Sequence, residues 1–353
     1  MKATLLAIDA IFAIRISRGI VLPIVPLLAA YDKAEWKQRG SNELCLREQW
    51  HDIKPPKNHF DAAMEALQYM QAMGWVASNT HPGMVITIDS VLHLHEILLS
   101  GDMRDDRYHA FRKTYLPYKK GINPSLIYSE MNDLCSFANK DYFSPVGQAT
   151  VIHHAFESIV PFDTMIDRTG LAFAFMTLFR RGLLTNGYMV PICWGASLEK
   201  EYRRQLRDAS RYEPSTEAHI YYRERWAAYN ARNTYMSVII AKSFLAAADS
   251  LKQEWESRNL RVPLNSALDK LICLCLVDPR LSIARAASII GKSYGATNEA
   301  MSHLVKKGIV KEVALDGRER MFVCEQASSM ITAFVDSLAK IGDRAEPNTA
   351  LER

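Results

Sequence analysis

Residues 156–170, FESIVPFDTMIDRTG, have the pattern of residue types that is typical of a catalytic loop between two helices. Acidic side chains flank a Pro-Phe turn, and Arg168 is a cation that could meet a phosphate. General-base chemistry also needs a titratable group within hydrogen-bond reach. The nearest histidines, His153 and His154, lie on the preceding predicted helix, where a structural role is the more usual one. The stretch is therefore either an active site or only the shape of one.

A second set of polar residues, between 292 and 320, is of the type that contacts DNA. A short helix at 282–291 and a helix at 296–307 are followed by strands at 309–315 and 320–324, with Asp316 and Gly317 in the turn. This order is typical of a winged helix-turn-helix, whose recognition helix enters the major groove. The predicted DNA contacts are Lys292, Ser293, Thr297, Asn298, Ser302, His303, Arg318 and Arg320.

The same segment has an alternative interpretation as a packing or dimerisation module. Its basic residues only slightly outnumber its acidic ones, and Glu299 lies close to where bases would be. A small net positive charge gives little of the electrostatic attraction on which DNA binding depends. DNA binding and a purely structural role both stay open at this point.

Helical periodicity dominates the elements that must position these residues. Before the winged segment, helices are predicted at about 61–73, 86–99, 124–139, 147–158, 168–184, 198–209 and 217–258. A further helix at 264–277 opens the winged segment, and one at 327–341 follows it. Residues 111–123 are rich in turn formers and are expected to form a small hairpin. The fold class is therefore mainly α, with domains at 1–85, 86–260, 261–325 and 326–353.

Composition limits the class of protein. The chain has 353 residues, 48% of them hydrophobic, and a formal net charge of +4. This excludes a disordered chain and is far from the charge density of a dedicated nucleic-acid protein. Its six cysteines show no zinc-type spacing, and no apolar run approaches the length of a membrane span. We expect a cytoplasmic protein with reduced thiols and no membrane partner.

Residues 156–170 resemble the central motif of the Fic family, His-Pro-Phe-x-(Asp/Glu)-Gly-Asn-Gly-Arg-x-x-Arg, preceded by a helix that ends in Phe-Glu-x-Ile. The matching residues are Phe156, Glu157, Ile159, Pro161, Phe162, Arg168 and Gly170. Segments at 92–101, 108–112, 151–157, 179–184 and 198–202 are also in register. The resemblance covers about 60–325. It implies a Fic-type helical core with a small β-hairpin flap, followed in some members by a winged helix domain.

In that family the motif histidine deprotonates a target hydroxyl, which attacks the α-phosphate of ATP with the help of Mg²⁺. At the histidine position this chain has Val160, and at the metal-binding acid it has Thr164. Met165, Ile166 and Asp167 replace the Gly-Asn-Gly nest, and Leu171 replaces the second arginine. Met and Ile are expected to resist the positive φ that glycine permits. Only Arg168 is left as a nucleotide-binding candidate.

The resemblance therefore predicts a catalytically degenerate protein with no catalytic residue, metal or cofactor, and with regulatory DNA binding through its winged helix. The alternative is an active or altered nucleotidyltransferase that transfers AMP from ATP to a protein hydroxyl. That alternative would need ATP and Mg²⁺, with Asp163 as a displaced metal ligand or a helix-borne histidine as the base. The expected partners are DNA and a second copy of the chain in a homodimer.

Overall fold

A computed structural model describes residues 2–18, 20, 22–32, 46, 57–99, 110–141, 143–184, 199–209, 216–258, 261–313 and 320–339. The protein is mainly helical, as the sequence predicts, and its described strands form one three-stranded antiparallel sheet. Within the described ranges, no helix is both long and apolar enough to cross a membrane.

The helices of the first part of the chain are α1 (Lys2–Arg18), α2 (Ile24–Asp32), α3 (Lys57–Asn79), α4 (Ile88–Leu99), α5 (Ile127–Ala138), α6 (Pro145–Ile159), α7 (Ile166–Arg180), α8 (Glu199–Ala209) and α9 (Glu217–Ser257). The elements that follow are α10 (Ala267–Cys275), β1 (Arg280–Ser282), α11 (Ile283–Ile290), α12 (Tyr294–Lys306), β2 (Lys311–Val313), β3 (Met321–Val323) and α13 (Glu325–Ala339). A short 3-10 turn, Pro124–Leu126, precedes α5. The described residues divide into two compact units, Lys2–Ser237 with Ala339, and Val238–Leu338.

The larger unit is built around α6 and α7, which pack along each other. Helix α6 begins at Pro145, where the hydroxyl of Ser144 accepts a hydrogen bond from the amide of Gly147 and caps the helix. Helix α7 is buried along almost its whole length, as expected of a helix that is apolar all round. Helices α3 and α4 also pack against α7, and α1 packs against α3. Residues 160–165, which join α6 to α7, are therefore anchored at both ends by core helices.

The small hairpin expected at 111–123 is not formed, because residues 110–123 contain bends and turns in place of strands. The buried guanidinium of Arg112 donates hydrogen bonds to the carbonyls of Thr114 and Ile122, at 2.7 Å each. Carbonyls bound in this way do not pair with amides of a facing strand. Pro117 also lacks the N–H that a strand ladder requires. The prediction of a hairpin at this point was wrong.

In the smaller unit the three helices α10, α11 and α12 are followed by the hairpin strands β2 and β3, in the order that the sequence predicts. The sequence did not indicate β1, which pairs with β3 and gives the sheet order β1-β3-β2. It has only three residues, too few to show an alternating pattern. Trp255, Met301 and Phe322 belong to the core that joins the helices to the sheet. The predicted turn at 316–317 lies outside the described residues.

Candidate functional site

The turn between α6 and α7 is sharp at both of its ends. Val160 ends α6 with φ of 53°, and Met165 precedes α7 with φ of 53°, so both non-glycine residues adopt the left-handed conformation. Between them, the ring of Phe162 stacks on His95, with ring centroids 3.7 Å apart. The Nδ1 atom of His95 lies 3.2 Å from Oγ1 of Thr169 on α7. The turn is therefore fixed against the helix that follows it.

The 110–123 segment lies against this turn and is held there by Arg112. The Nε atom of Arg112 donates a hydrogen bond of 2.5 Å to the carbonyl of Val160, which satisfies a group at the end of α6. Glycine at position 121 allows the segment to approach the turn this closely. A Cβ at this position would lie 2.7 Å from both Nη2 of Arg112 and Cβ of Val160. The hydroxyl of Tyr118 donates to the carbonyl of Asp163 across the turn.

A mixed-charge cavity of about 720 Å³ lies beside the turn, within the larger unit. Its basic lining residues are Arg18, Lys119, Arg168, Arg203 and Arg207, and its acidic ones are Glu65, Glu157, Asp163 and Asp167. Groups of opposite charge therefore lie side by side within the cavity.

Arg168 is buried, and it forms an ion pair of 2.5 Å between its Nη2 and Oε2 of Glu65 on α3. The same nitrogen lies 2.8 Å from the hydroxyl of Ser17 on α1. Glu65 also accepts hydrogen bonds from Arg18. Burial lowers the pKa of Arg168 to about 10, so the guanidinium stays charged at neutral pH. Arg168 is therefore already paired with a carboxylate of the protein itself, which it shares with Arg18.

Lys119 of the 110–123 segment joins two carboxyl groups in the same cavity. Its Nζ lies 2.6 Å from Oε2 of Glu157 and 3.1 Å from Oδ1 of Asp167. Burial, and then the charge of Asp167, raise the pKa of Glu157 to about 8. Burial opposes ionisation of Asp167 too, but the charge and hydrogen bond of Lys119, the hydrogen bond with Glu157 and the charge of Arg168 together outweigh it and lower the pKa of Asp167 overall. Burial acts to lower the pKa of Lys119, but the two carboxyl groups together raise it overall.

The residues that occupy the motif positions with uncharged side chains offer no ionisable group in the structure either. Val160 and Leu171 are buried alkyl groups, and neither lines the cavity. Thr164 is exposed and lines the cavity with a neutral hydroxyl. Asp163 also lines it, half-buried, but the described residues include no cluster of His, Cys, Asp and Glu that could hold a metal ion.

The two histidines of α6 are core residues. His153 lies 2.9 Å from the hydroxyl of Tyr202 through its Nε2 atom, and His154 packs against Trp226. Burial lowers the pKa of each histidine to about 4. Neither histidine lines the cavity.

The expectation that Met165 resists a positive φ was wrong, because the surrounding contacts impose that conformation, while Ile166 is helical as expected. Sequence reasoning also missed Glu65 as the partner of Arg168 and Lys119 as the partner of Asp167. Glu65 lies far from the turn in sequence, and nothing in the amphipathic pattern of α3 singles it out. Lys119 had a weak signal, since it lies in the segment expected to act as a flap.

Not every residue predicted to meet DNA is accessible on the described part of α12. Thr297 is fully buried, and its hydroxyl donates a hydrogen bond of 2.9 Å to the carbonyl of Ser293. Its prediction as a groove contact was therefore wrong, because the first turn of the helix uses this hydroxyl internally. Ser293 caps the helix by accepting a bond from the amide of Ala296. Asn298 and Ser302 are half-buried, and His303 is exposed.

The remaining DNA candidates lie outside α12. Lys292 is half-buried in the turn before the helix, and Arg320 is exposed at the start of β3. Arg320 forms an ion pair of 2.6 Å with Glu312 of β2, and its Nη1 lies 3.4 Å from Oδ1 of Asn298. The structure therefore brings Arg320 and Asn298 together at one edge of the unit. Arg318 lies outside the described residues.

No protein-family model matches the chain, and no curated protein matches it. The chain is similar to a Fic family protein from Desulfovibrio desulfuricans G20, at 14% identity and a TM-score of 0.46, over 92% of this chain and 86% of that one. It is also similar to a Fic domain containing signaling protein from Bacteroides thetaiotaomicron VPI-5482, at 13% identity and a TM-score of 0.43, over 62% of this chain and 88% of that one. A third structure, Fic-1 from C. elegans, has 14% identity and a TM-score of 0.39, and the match covers 61% of this chain and 62% of that one. All three carry the name of the family that residues 156–170 resemble.

Proposed function

We propose that this chain is a catalytically degenerate Fic-like protein that acts in regulation and binds DNA through residues 261–325. The observation that carries the first part is the side chain at the motif histidine position. Val160 is fully buried and has no atom that accepts a proton. The left-handed backbone at Val160 and Met165 keeps a sharp turn, so the segment has the form of a catalytic loop without its base.

The residues present do not fit ATP with Mg²⁺. Arg168 is already paired with Glu65, so a phosphate would have to displace a buried carboxylate before it could bind. Asp167 adds a negative charge where the resemblance would have a phosphate-binding nest. Thr164 offers a neutral hydroxyl, a poor ligand for a hard cation that prefers carboxylates. Each of these features supports loss of nucleotide transfer.

The first experiment incubates the protein and a cell lysate with labelled ATP and either Mg²⁺ or Mn²⁺. We expect no label on the protein or on any lysate protein that depends on its addition. The variants Arg168→Ala and Val160→His serve as comparisons, and we expect Val160→His alone to stay inactive because the metal and phosphate positions are still altered. Label that appears with the wild-type protein and disappears with Arg168→Ala would establish the alternative, an active nucleotidyltransferase.

The DNA-binding part of the proposal is supported by the accessible polar face of the smaller unit. Asn298, Ser302 and His303 lie on α12 without full burial, and Arg320 lies next to Asn298. Arginine and asparagine are common contacts to phosphates and to base edges respectively. The Arg320–Glu312 pair reduces the positive charge of this face, so we expect binding that is weak at physiological salt and sequence-dependent.

Gel shifts at several salt concentrations, with fragments that flank the gene of this protein, test DNA binding directly. Arg320→Ala should weaken binding and lower the salt slope by about 1, as loss of a phosphate contact does. Lys252→Ala is the charge-matched control, because Lys252 is a partly exposed lysine on α9 that pairs with Glu256. No shift at low salt, or a shift that Arg320→Ala and Asn298→Ala leave unchanged, would return this segment to a packing role.

A further inference from the structure

Helix α9 has 41 residues, and its two opposite faces have different environments. One face is buried, and it carries Trp226, Asn230, Asn233, Ser237, Ala241, Phe244 and Ala248. The other face is formed by residues that recur at strictly alternating intervals of three and four. These residues, which we call the α9 seam, are Tyr221, Glu224, Ala228, Ala231, Tyr235, Val238, Lys242 and Leu245.

The α9 seam has the composition of a helix interface but is open to solvent in the single chain. Tyr235 is 64% exposed, Tyr221 47% and Leu245 40%, and all members except the half-buried Val238 are classed as exposed. All but Glu224 and Lys242 are apolar. An alternation of three and four residues is the 3.5-residue period with which two helices pack side by side along a straight seam. An exposed, mostly apolar stripe of this kind marks an interaction surface.

We infer that the α9 seam packs antiparallel against the same seam of a second copy of this chain. With the two-fold axis beside Asn233, residues whose numbers are symmetric about 233 face each other. Tyr235 then lies against Ala231 of the partner subunit, and Val238 lies against Ala228 of the partner subunit. Leu245 meets the partner subunit's Tyr221. Large side chains thus oppose small ones near the axis, as close helix packing requires.

The two charged members of the seam select this arrangement. In the antiparallel register Glu224 lies opposite Lys242 of the partner subunit, and the symmetry repeats this contact at the other end. A parallel register would place each charged residue against its own copy, which is repulsive. Among the described residues, neither Glu224 nor Lys242 forms an ion pair within its own chain. The seam is about 36 Å long at 1.5 Å per residue, enough for several packed layers.

Sedimentation equilibrium of the full chain over a range of concentrations tests this inference. We expect the wild-type protein to be a dimer. Glu224→Lys and Lys242→Glu should each raise the dimer dissociation constant by about tenfold or more, because each variant opposes like charges at both ends of the seam. An equimolar mixture of the two variants, and the double variant Glu224→Lys with Lys242→Glu, should both restore the dimer.

Asp336→Lys is the matched control, since it makes the same charge change at an exposed position on α13. It should leave the dimer unchanged. A wild-type monomer at all concentrations would overturn the inference. So would a dimer whose dissociation constant in both single variants equals that of the wild type, since a parallel seam or a different interface predicts that result. Neither outcome depends on whether the protein binds DNA or transfers nucleotides.

Discussion

Loss of the proton on Glu157 should lower the stability of the wild-type protein relative to a Glu157→Gln variant as pH rises from about 5 to 8. Burial raises the pKa of Glu157 from 4.5 to about 8 in the folded protein. Its Oε2 contacts Lys119, but its Oε1 is buried and has no hydrogen-bond partner among the described residues. An ionised carboxylate with one oxygen in that position is costly. Glu157→Gln replaces the neutral acid with a neutral group of similar shape and removes the titration.

The sign follows from which state binds more protons. Between pH 4.5 and 8 the folded protein keeps the proton on Glu157 while the unfolded chain has lost it, so the contribution of Glu157 to stability decreases with pH over this window. At about 1.4 kcal/mol per pKa unit, the full loss from the shift of Glu157 is on the order of 5 kcal/mol. His153 and His154, with pKa lowered to about 4, act in the opposite direction up to the ordinary histidine value of 6.5. They are present in both proteins, so their effect cancels in the difference.

Urea unfolding of wild type and Glu157→Gln at pH 5, 6.5 and 8 measures this difference. The free energy of unfolding of the wild type should fall relative to Glu157→Gln as pH rises. Glu130→Gln is the control, since Glu130 is exposed on α5 and its variant should follow the wild type at every pH. If the wild type and Glu157→Gln give parallel pH profiles, Glu157 is ionised in the folded state and the reasoning fails.

Two further substitutions test the contacts around the turn and within the smaller unit. Gly121→Ala should destabilise the protein by about 1–3 kcal/mol, because its Cβ would lie 2.7 Å from Nη2 of Arg112 and from Cβ of Val160, and urea unfolding measures this loss. Asp278→Ala should cost about 3 kcal/mol, since it leaves the mostly buried Arg285 without the carboxylate 2.5 Å from its Nη2. An unchanged thermal midpoint in Asp278→Ala would show that this ion pair adds no net stability.

Local patterns predicted most of the helices, because capping residues and apolar spacing involve residues that are close together in the sequence. Ser144, Ser282 and Ser293 each cap a helix that follows directly after them, and glycine ends α11. The prediction of a hairpin at 111–123 was wrong because the contacts that shape this segment are not local in sequence. Its backbone carbonyls are satisfied by the side chain of Arg112, and no propensity of the segment itself indicates such a partner.

The candidate site was predictable only in the residues that occupy the motif positions. That position 160 has no titratable side chain and position 171 no cation can be read from the sequence alone. The pairing of Arg168 with Glu65 cannot, because it joins α7 to a helix from a distant part of the chain. The buried position of Thr297 could not be foreseen either, since a hydroxyl in the first turn of a helix can face solvent or bond back to the carbonyl four residues earlier.

The conformation of Met165 shows that a residue other than glycine can adopt the left-handed backbone of this turn. A left-handed residue other than glycine costs roughly 1–2 kcal/mol. In this protein the contacts on both sides supply the compensation: Arg112 binds the carbonyl of Val160, and the carbonyl of Met165 accepts bonds from the amide and hydroxyl of Thr169. Because tertiary contacts hold the turn, its geometry does not depend on glycine and is no sign of catalysis. Function at this turn must be argued from its side chains, among which Arg168 is paired with Glu65 and Lys119 with Asp167.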